Sequence, residues 1–344
     1  MTSRGARTGV AIAIVALSLP IVALGVVFTG LISIPLPASE PATSSGSDAN
    51  APIDNPLRGE TFYADPESLA AQAAAASAAA AADSAATGVL DRLAATPTAI
   101  WLTPEKYPSA TVAATVSATL DAADASRSTP VFVVYGVPNR DCGSLSAGGL
   151  SATEYPLWVA EIAGAFAARS AVVILEPDAL ALATQCGNVD ERVSEVAAAV
   201  DAFVSTRAIV YLDGGHSTWL PAAQMAGLLN RAGIAETRGF ATNVSNYNST
   251  VTERAYGEKL SSLTGDSHYV IDIGRNGRGS NGAWCNPSGR ALGDAPSVVI
   301  DAGHLDAQLW IKPPGESDGT CNGGPAAGTW WPGRALELAD NAGW

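Results

Sequence analysis

The chain has 344 residues, 47% hydrophobic and 15% charged, enough apolar mass for one large core or two small ones. A net charge of −14 argues against nucleic acid and anionic membrane surfaces as partners, whereas a neutral polymer would meet no repulsion. Three histidines are too few for a His-rich metal centre, and neither a metal nor another cofactor is expected.

The N-terminus speaks to compartment. Arg4 and Arg7 precede an uncharged apolar stretch from Gly9 to Leu36, which reads as an export signal. It exceeds the ~7–15 residues of a usual signal core and approaches the ~20 that span a bilayer. Cleavage near Ala38 and retention as an anchor both stand, so the protein is expected to be secreted or tethered to the outer face of the membrane. Residues 1–38 form that segment. Residues 39–56, rich in Ser, Pro, Ala and Asp, read as flexible linker, and 57–344 as a single catalytic domain.

From Leu57 onward helices and strands alternate. Pro66 to Leu93 is an Ala-rich helical stretch, Ile100–Leu102 a short strand and Ala110–Ala125 an amphipathic helix. A strand over 131–135 leads through a Gly/Ser-rich loop to a helix over 152–168. Strand 171–175 precedes a helix over 189–205, and strand 208–212 a helix near 221–232. Gly239–Thr242, His268–Ile273 and Asp306–Ile311 supply further strands. There is no internal repeat. About seven strand–helix units in one domain suggest a barrel-like α/β fold.

Four Asp residues sit at or just after the end of an apolar run: Asp141 in VFVVYGVPNRD, Asp178 in VVILEPD, Asp213 in IVYLD and Asp318 in LWIKPPGESD. Parallel sheets bind ligands beyond their strand C-termini, so these carboxylates should gather at one rim. Clustered carboxylates without a phosphate-binding Gly loop suggest acid–base hydrolysis. Asp213 is expected to pair with Arg140 or another cation in support of the site, and His216 to hydrogen-bond a ligand hydroxyl or to sit as a satisfied loop histidine.

Four cysteines in an exported chain favour two disulfides, with free thiols or zinc ligation as the alternatives. Pairing Cys142 with Cys186 and Cys285 with Cys321 would pin the loops that carry Asp141, Asp178 and Asp318.

The blocks YGVPNRDCG, ILEPDALA, YLDGGHSTWL, GFATNVSNYN, IDIGRNGRGSNGAWCNPSGRALG and LWIKPPGESDG occur in the order seen in glycoside hydrolase family 6, and the resemblance runs from Phe62 to the C-terminus. It implies a distorted parallel barrel with fewer than eight strands. It also implies an inverting enzyme acting on β-1,4-glucan; a monomer is expected. Compact loops point to an endo-acting form, with an exo-acting cellobiohydrolase or a non-catalytic glucan-binding protein as alternatives. By resemblance Asp178 is the general acid, Asp141 the residue that tunes its proton and Asp318 the proposed base, acting directly or through a water chain, with a structural or salt-bridging role as the alternative. Several relatives have a Ser that helps hold water six residues after the tuning Asp; here that position is Ala147, with Ser146 beside it. Tyr135 matches a Tyr that crowds the reacting sugar. Lys312 and Glu316 match residues that bind hydroxyls on the non-reducing side, and Asn246 and Arg275 are further candidate contacts. Trp101, Trp219 and Trp284 read as sugar platforms, Trp330 and Trp331 as packing, and Glu176 as structural support.

Overall fold

The computed structural model describes residues 55–80 and 84–344. The segments assigned to residues 1–38 and to most of the linker lie outside the described residues. Among the described residues, no helix is long and apolar enough to cross a membrane.

One sheet organises the domain. Strands β1 (Ile100–Leu102), β2 (Val131–Val134), β3 (Val172–Leu175), β4 (Ile209–Asp213), β5 (Gly239–Thr242), β6 (His268–Asp272), β7 (Ser297–Val298) and β8 (Leu305–Leu309) lie in the order β1-β2-β3-β4-β5-β6-β8-β7. All pairings are parallel except the short β7, which runs antiparallel to β8. Strands such as β2 (VFVV) and β3 (VVIL) are continuous apolar runs because both faces are covered. Val133, Ile174, Tyr211, Val270 and Leu309 pack inside the curl, while Val134, Leu175, Leu212, Phe240 and Ile271 face the helices. The ring is joined between β1 and β8 not by a ladder but by two bonds. Ala99 N–H donates to the Trp310 carbonyl at 2.9 Å, and Trp101 Nε1–H to the Ile311 carbonyl at 2.8 Å. The result is a distorted parallel barrel.

The helices are α1 (Leu69–Ala79), α2 (Ser84–Ala95), α3 (Val112–Ser126), α4 (Tyr155–Phe166), α5 (Ala179–Cys186), α6 (Val189–Phe203), α7 (Ala222–Arg231), α8 (Thr250–Ser261) and α9 (Pro332–Asn341). The Ala-rich stretch expected as one helix is two, α1 and α2. Helices α5, α8 and α9 and strand β7 were not foreseen. α5 is a single short apolar run, too short to show a helical period. α8 has little amphipathic contrast, although Ser249 caps it by accepting the Thr252 amide at 3.3 Å, a start signal in the sequence. α9 opens on Pro332, which is favoured at a first turn.

Candidate active site

The carboxylates do converge at the C-terminal ends of the strands, and the backbone there is strained. Asn139, Asp141 and Cys142 after β2, Glu176 and Asp178 after β3, and Asn243 and Ser245 after β5 all have positive φ, between 48° and 68°. Non-Gly residues avoid that region, and its concentration at one rim marks a functional edge. Two disulfides brace the edge: Cys142–Cys186 ties the loop after β2 to the end of α5, and Cys285–Cys321 ties the loops on either side of β7 and β8. Leu145 packs on Gly319, where an added Cβ would lie 2.8 Å away, so the loops bearing Asp141 and Asp318 touch. We expect mass spectrometry of unreduced peptides to recover both pairs. Reducing each should cost about 2–4 kcal/mol of stability, with activity lost before the fold; any other pairing would contradict this loop arrangement.

Asp178 stands at the head of α5, and its carboxyl lines the cleft without accepting a hydrogen bond from the described residues. Burial raises its pKa well above the usual carboxylate range, and Asp213, Asp141 and Asp318 add to the rise while Lys312 opposes it. The strongest carboxylate neighbour is therefore Asp213, at the end of β4. Asp213 is not paired with Arg140 or with another cation. Its Oδ2 accepts the backbone N–H groups of Asp178 at 3.0 Å and Gly215 at 3.1 Å, while Oδ1 is buried without a partner. Those two amides already supply the donors that a cation would have. Arg140 instead spans Glu105 at 3.1 Å, the Tyr135 carbonyl at 2.8 Å and the Ser146 carbonyl at 2.9 Å. It thereby folds the Gly/Ser-rich loop so that Ser146 N–H donates to Asp141 Oδ2 at 2.8 Å. Asp141 is half-buried, and its pKa is raised by burial against the pull of that amide and of Arg140.

Asp318 is held quite differently. Its Oδ2 accepts Tyr247 OH at 3.1 Å, Asn286 N–H at 2.9 Å and Arg275 Nη1 at 3.0 Å; Oδ1 accepts only Arg275 Nη1, at 2.8 Å. Arg275, expected to touch sugar, is buried beneath the site. It binds Asp318 and the Ser245 carbonyl, with its guanidinium 4.5 Å over the Tyr247 ring. A long cation reaching from the end of β6 meets a buried anion before it can meet a ligand.

Asp141, Asp178 and Asp318 line a cleft of about 1350 Å³. Tyr135, Trp101, Trp219, Trp284, Lys312, Glu316, Asn246, His216, Ser146 and Ala147 all line it. Trp101 meets the Tyr135 ring edge-on at 5.2 Å, and Lys312 Nζ sits 5.4 Å from the Trp101 ring and 4.0 Å from Glu316. Burial raises the Glu316 carboxyl, with Lys312 pulling against it. His216 packs 5.3 Å from Trp219, and burial lowers its pKa to about 4, which keeps the ring neutral. Trp284 is 55% exposed at the rim. Trp330, read as packing, lines the cleft as well. Glu176 is behind the site, buried and accepting Gly136 and Val137 N–H, with burial raising its pKa to about 7.

Several supporting residues escaped the sequence reading. Asp272 ends β6 and accepts four backbone amides, from Ser245, Gly274, Ile311 and Lys312, tying three loops together. The signal was present, because HYVID ends an apolar run on Asp like the other four segments. Glu253, Asn248 and Asn286 gave no such cue. Glu253 accepts Ser217 N–H and Asn248 Nδ2, both at 3.0 Å, and so holds the loop that carries His216 and Trp219.

A distorted parallel barrel whose strand ends gather carboxylates in a tryptophan-walled cleft is the build of a glycoside hydrolase. Residues 57–342 match the model of glycosyl hydrolases family 6, and the chain belongs to that family. It is 45% identical to Endoglucanase A of Cellulomonas fimi over 284 residues, covering 82% of this chain and 62% of that protein. It is 44% identical to Endoglucanase A of Thermobispora bispora over 311 residues, covering 88% and 65%. The chain thus spans under two thirds of the length of either relative. The solved endoglucanase Cel6 from Mycobacterium tuberculosis, in complex with methyl-cellobiosyl-4-deoxy-4-thio-β-D-cellobioside, superposes with a TM-score of 0.79 at 46% identity, over 84% of this chain and 100% of that one.

Proposed function

We propose that this protein hydrolyses β-1,4-glucosidic bonds in cellulose or a related β-glucan, cutting within chains and inverting the anomeric carbon, as a secreted or outer-face-tethered monomer without a cofactor. The names of its relatives and the thio-oligosaccharide bound to the Mycobacterium enzyme support the substrate class. The observation that carries the reading is the contrast between two carboxyls in one cleft. The Asp178 carboxyl accepts no hydrogen bond from the described residues and has a raised pKa, as a general acid needs; Asp318 is bonded on both oxygens by Arg275. One carboxyl is left free to carry a proton and the other is held by a cation, which is how acid and base roles are divided between two carboxyls in one site.

In the reaction Asp178 gives its proton to the glycosidic oxygen as the bond to the anomeric carbon breaks. Asp141 and Asp213 keep that proton on Asp178 until it is needed. Water attacks the anomeric carbon from the opposite face and yields a proton to Asp318, whose Oδ1 carries one donor against three on Oδ2. Inversion needs the two carboxyls about 6.5–9.5 Å apart so that this water fits. Tyr135 crowds the reacting ring, Trp101, Trp219 and Trp284 face the sugars, and Lys312 and Glu316 hold hydroxyls on the non-reducing side, with Asn246 and His216 as further contacts.

The loops argue for internal cleavage. Only Gly319 and Thr320 separate Asp318 from Cys321, leaving little chain to roof the cleft. Viscosity of a soluble cellulose derivative should fall quickly while few reducing ends appear, and NMR should show the α-anomer as the first product. Slow viscosity loss with cellobiose as nearly the sole early product would favour exo attack, and a β-anomer would remove inversion.

A further inference from the structure

The cleft does not stop at the sugar position beside Trp101, Lys312 and Glu316. Asp65, Glu67, Ser68, Pro314, Thr329 and Trp330 line it as well. The contacts give these groups an order. Tyr135 stands next to the reacting carboxyls, which raise its pKa together with burial. Trp101 touches Tyr135, and Lys312 lies over Trp101 and against Glu316. Glu316 in turn faces Trp330 across a short antiparallel bridge. That bridge is framed by Ser317 N–H to the Thr329 carbonyl at 2.9 Å and Trp331 N–H to the Gly315 carbonyl at 2.8 Å. Residues directly opposite in an antiparallel pair put their side chains on the same face. Trp330 therefore stands beside Glu316, at the far end of the series of contacts that runs from Tyr135 through Trp101 and Lys312.

A pyranose needs a flat apolar face with hydrogen-bonding groups at its edge. The half-buried Trp330 ring supplies the face. Asp65, Glu67 and the exposed Thr329, which line the same cleft, offer acceptors and a hydroxyl. Gly315 fixes the ring's place: its φ is 99°, and a Cβ there would lie 2.7 Å from Trp330 Cζ3, so the bare backbone lets the indole pack down against it. We propose that this segment binds a third glucosyl residue on the non-reducing side of the scissile bond, with Trp330 as its platform. The inference rests on the glucanase reading and on the non-reducing side lying at Lys312 and Glu316. A chain that continues past the second residue is not gripped by its end, which suits internal cleavage.

The test uses the full chain and cellopentaose labelled with ¹⁸O at its reducing end, with cellotetraose for comparison. The wild-type protein should release unlabelled cellotriose, from the non-reducing end, as a main early product. Trp330→Ala should lower kcat/KM for that release roughly tenfold more than for cellotetraose cut at its middle bond. If Trp330→Ala does not fold, Asp65→Ala with Glu67→Ala, in the same cleft, should shift the product ratio in the same direction. Cellotriose that always carries the label, or variants that slow both oligomers alike, would overturn the third position while leaving the glucanase reading in place. Failure to cleave either oligomer would instead sink the glucanase reading, and the third position with it.

Discussion

Replacing Asp178 with Ala should lower turnover on a β-glucan by roughly 10²–10⁴, the usual worth of a general acid. The same replacement should matter less for an aryl glucoside, whose leaving group needs no proton. Equal losses on both substrates, with the fold intact, would remove Asp178 from the role. The pH profile gives the second half of the test. An acid works while protonated, so activity is lost as pH rises through its pKa. That pKa is raised first by burial, then by Asp213 and Asp141. Asp141→Asn deletes one of the negative charges that hold the proton on, so the alkaline limb should move to lower pH. Asp213→Asn should move it the same way and by more, because Asp213 is the larger contributor. An alkaline limb that stays in place in both variants would mean that a different group limits the rate at high pH.

Arg275→Leu should be the most destabilising change at the site. The guanidinium and Asp318 are both buried, with side-chain exposures of 3% and 5%, and they pair at 2.8 Å. Removing one partner leaves a buried charge uncompensated, which costs about 3–5 kcal/mol. At ~2–4 °C per kcal/mol for a chain of a few hundred residues, the melting temperature should fall by roughly 6–20 °C. Turnover should fall as well, since Tyr247 and Asn286 alone would have to hold Asp318. Combining Arg275→Leu with Asp318→Asn removes both charges and should recover part of the stability but none of the turnover. Melting temperatures of the two variants decide the point: an unchanged value in Arg275→Leu would show that the pair is not the anchor described here.

Much of the barrel was legible because each parallel strand is a short β-branched run bounded by polar turns, and both its faces must be apolar. β1 to β6 and β8 were all expected within a residue or two. The elements that escaped are those whose stability comes from outside themselves. α5 and β7 are too short to carry a period, and α8 lies against the sheet with a largely polar sequence. The site divides in the same way. Asp141, Asp178 and Asp318 were visible as carboxylates at strand ends, and the structure brings all three to one cleft. Arg275 was visible as a charge but not as a partner.

The sequence by itself determined the class of fold and the rim where the carboxylates meet. Both follow from local composition and from the rule that parallel strands present their C-terminal ends on one side. Only the tertiary structure decided which carboxyl is left bare and which is neutralised. That outcome depends on donors brought from far along the chain: the Asp178 amide reaching Asp213, and Arg275, Tyr247 and Asn286 reaching Asp318. A carboxyl's proton affinity is set by burial and by the charges and hydrogen bonds around it, and these are properties of the packed site rather than of the residue.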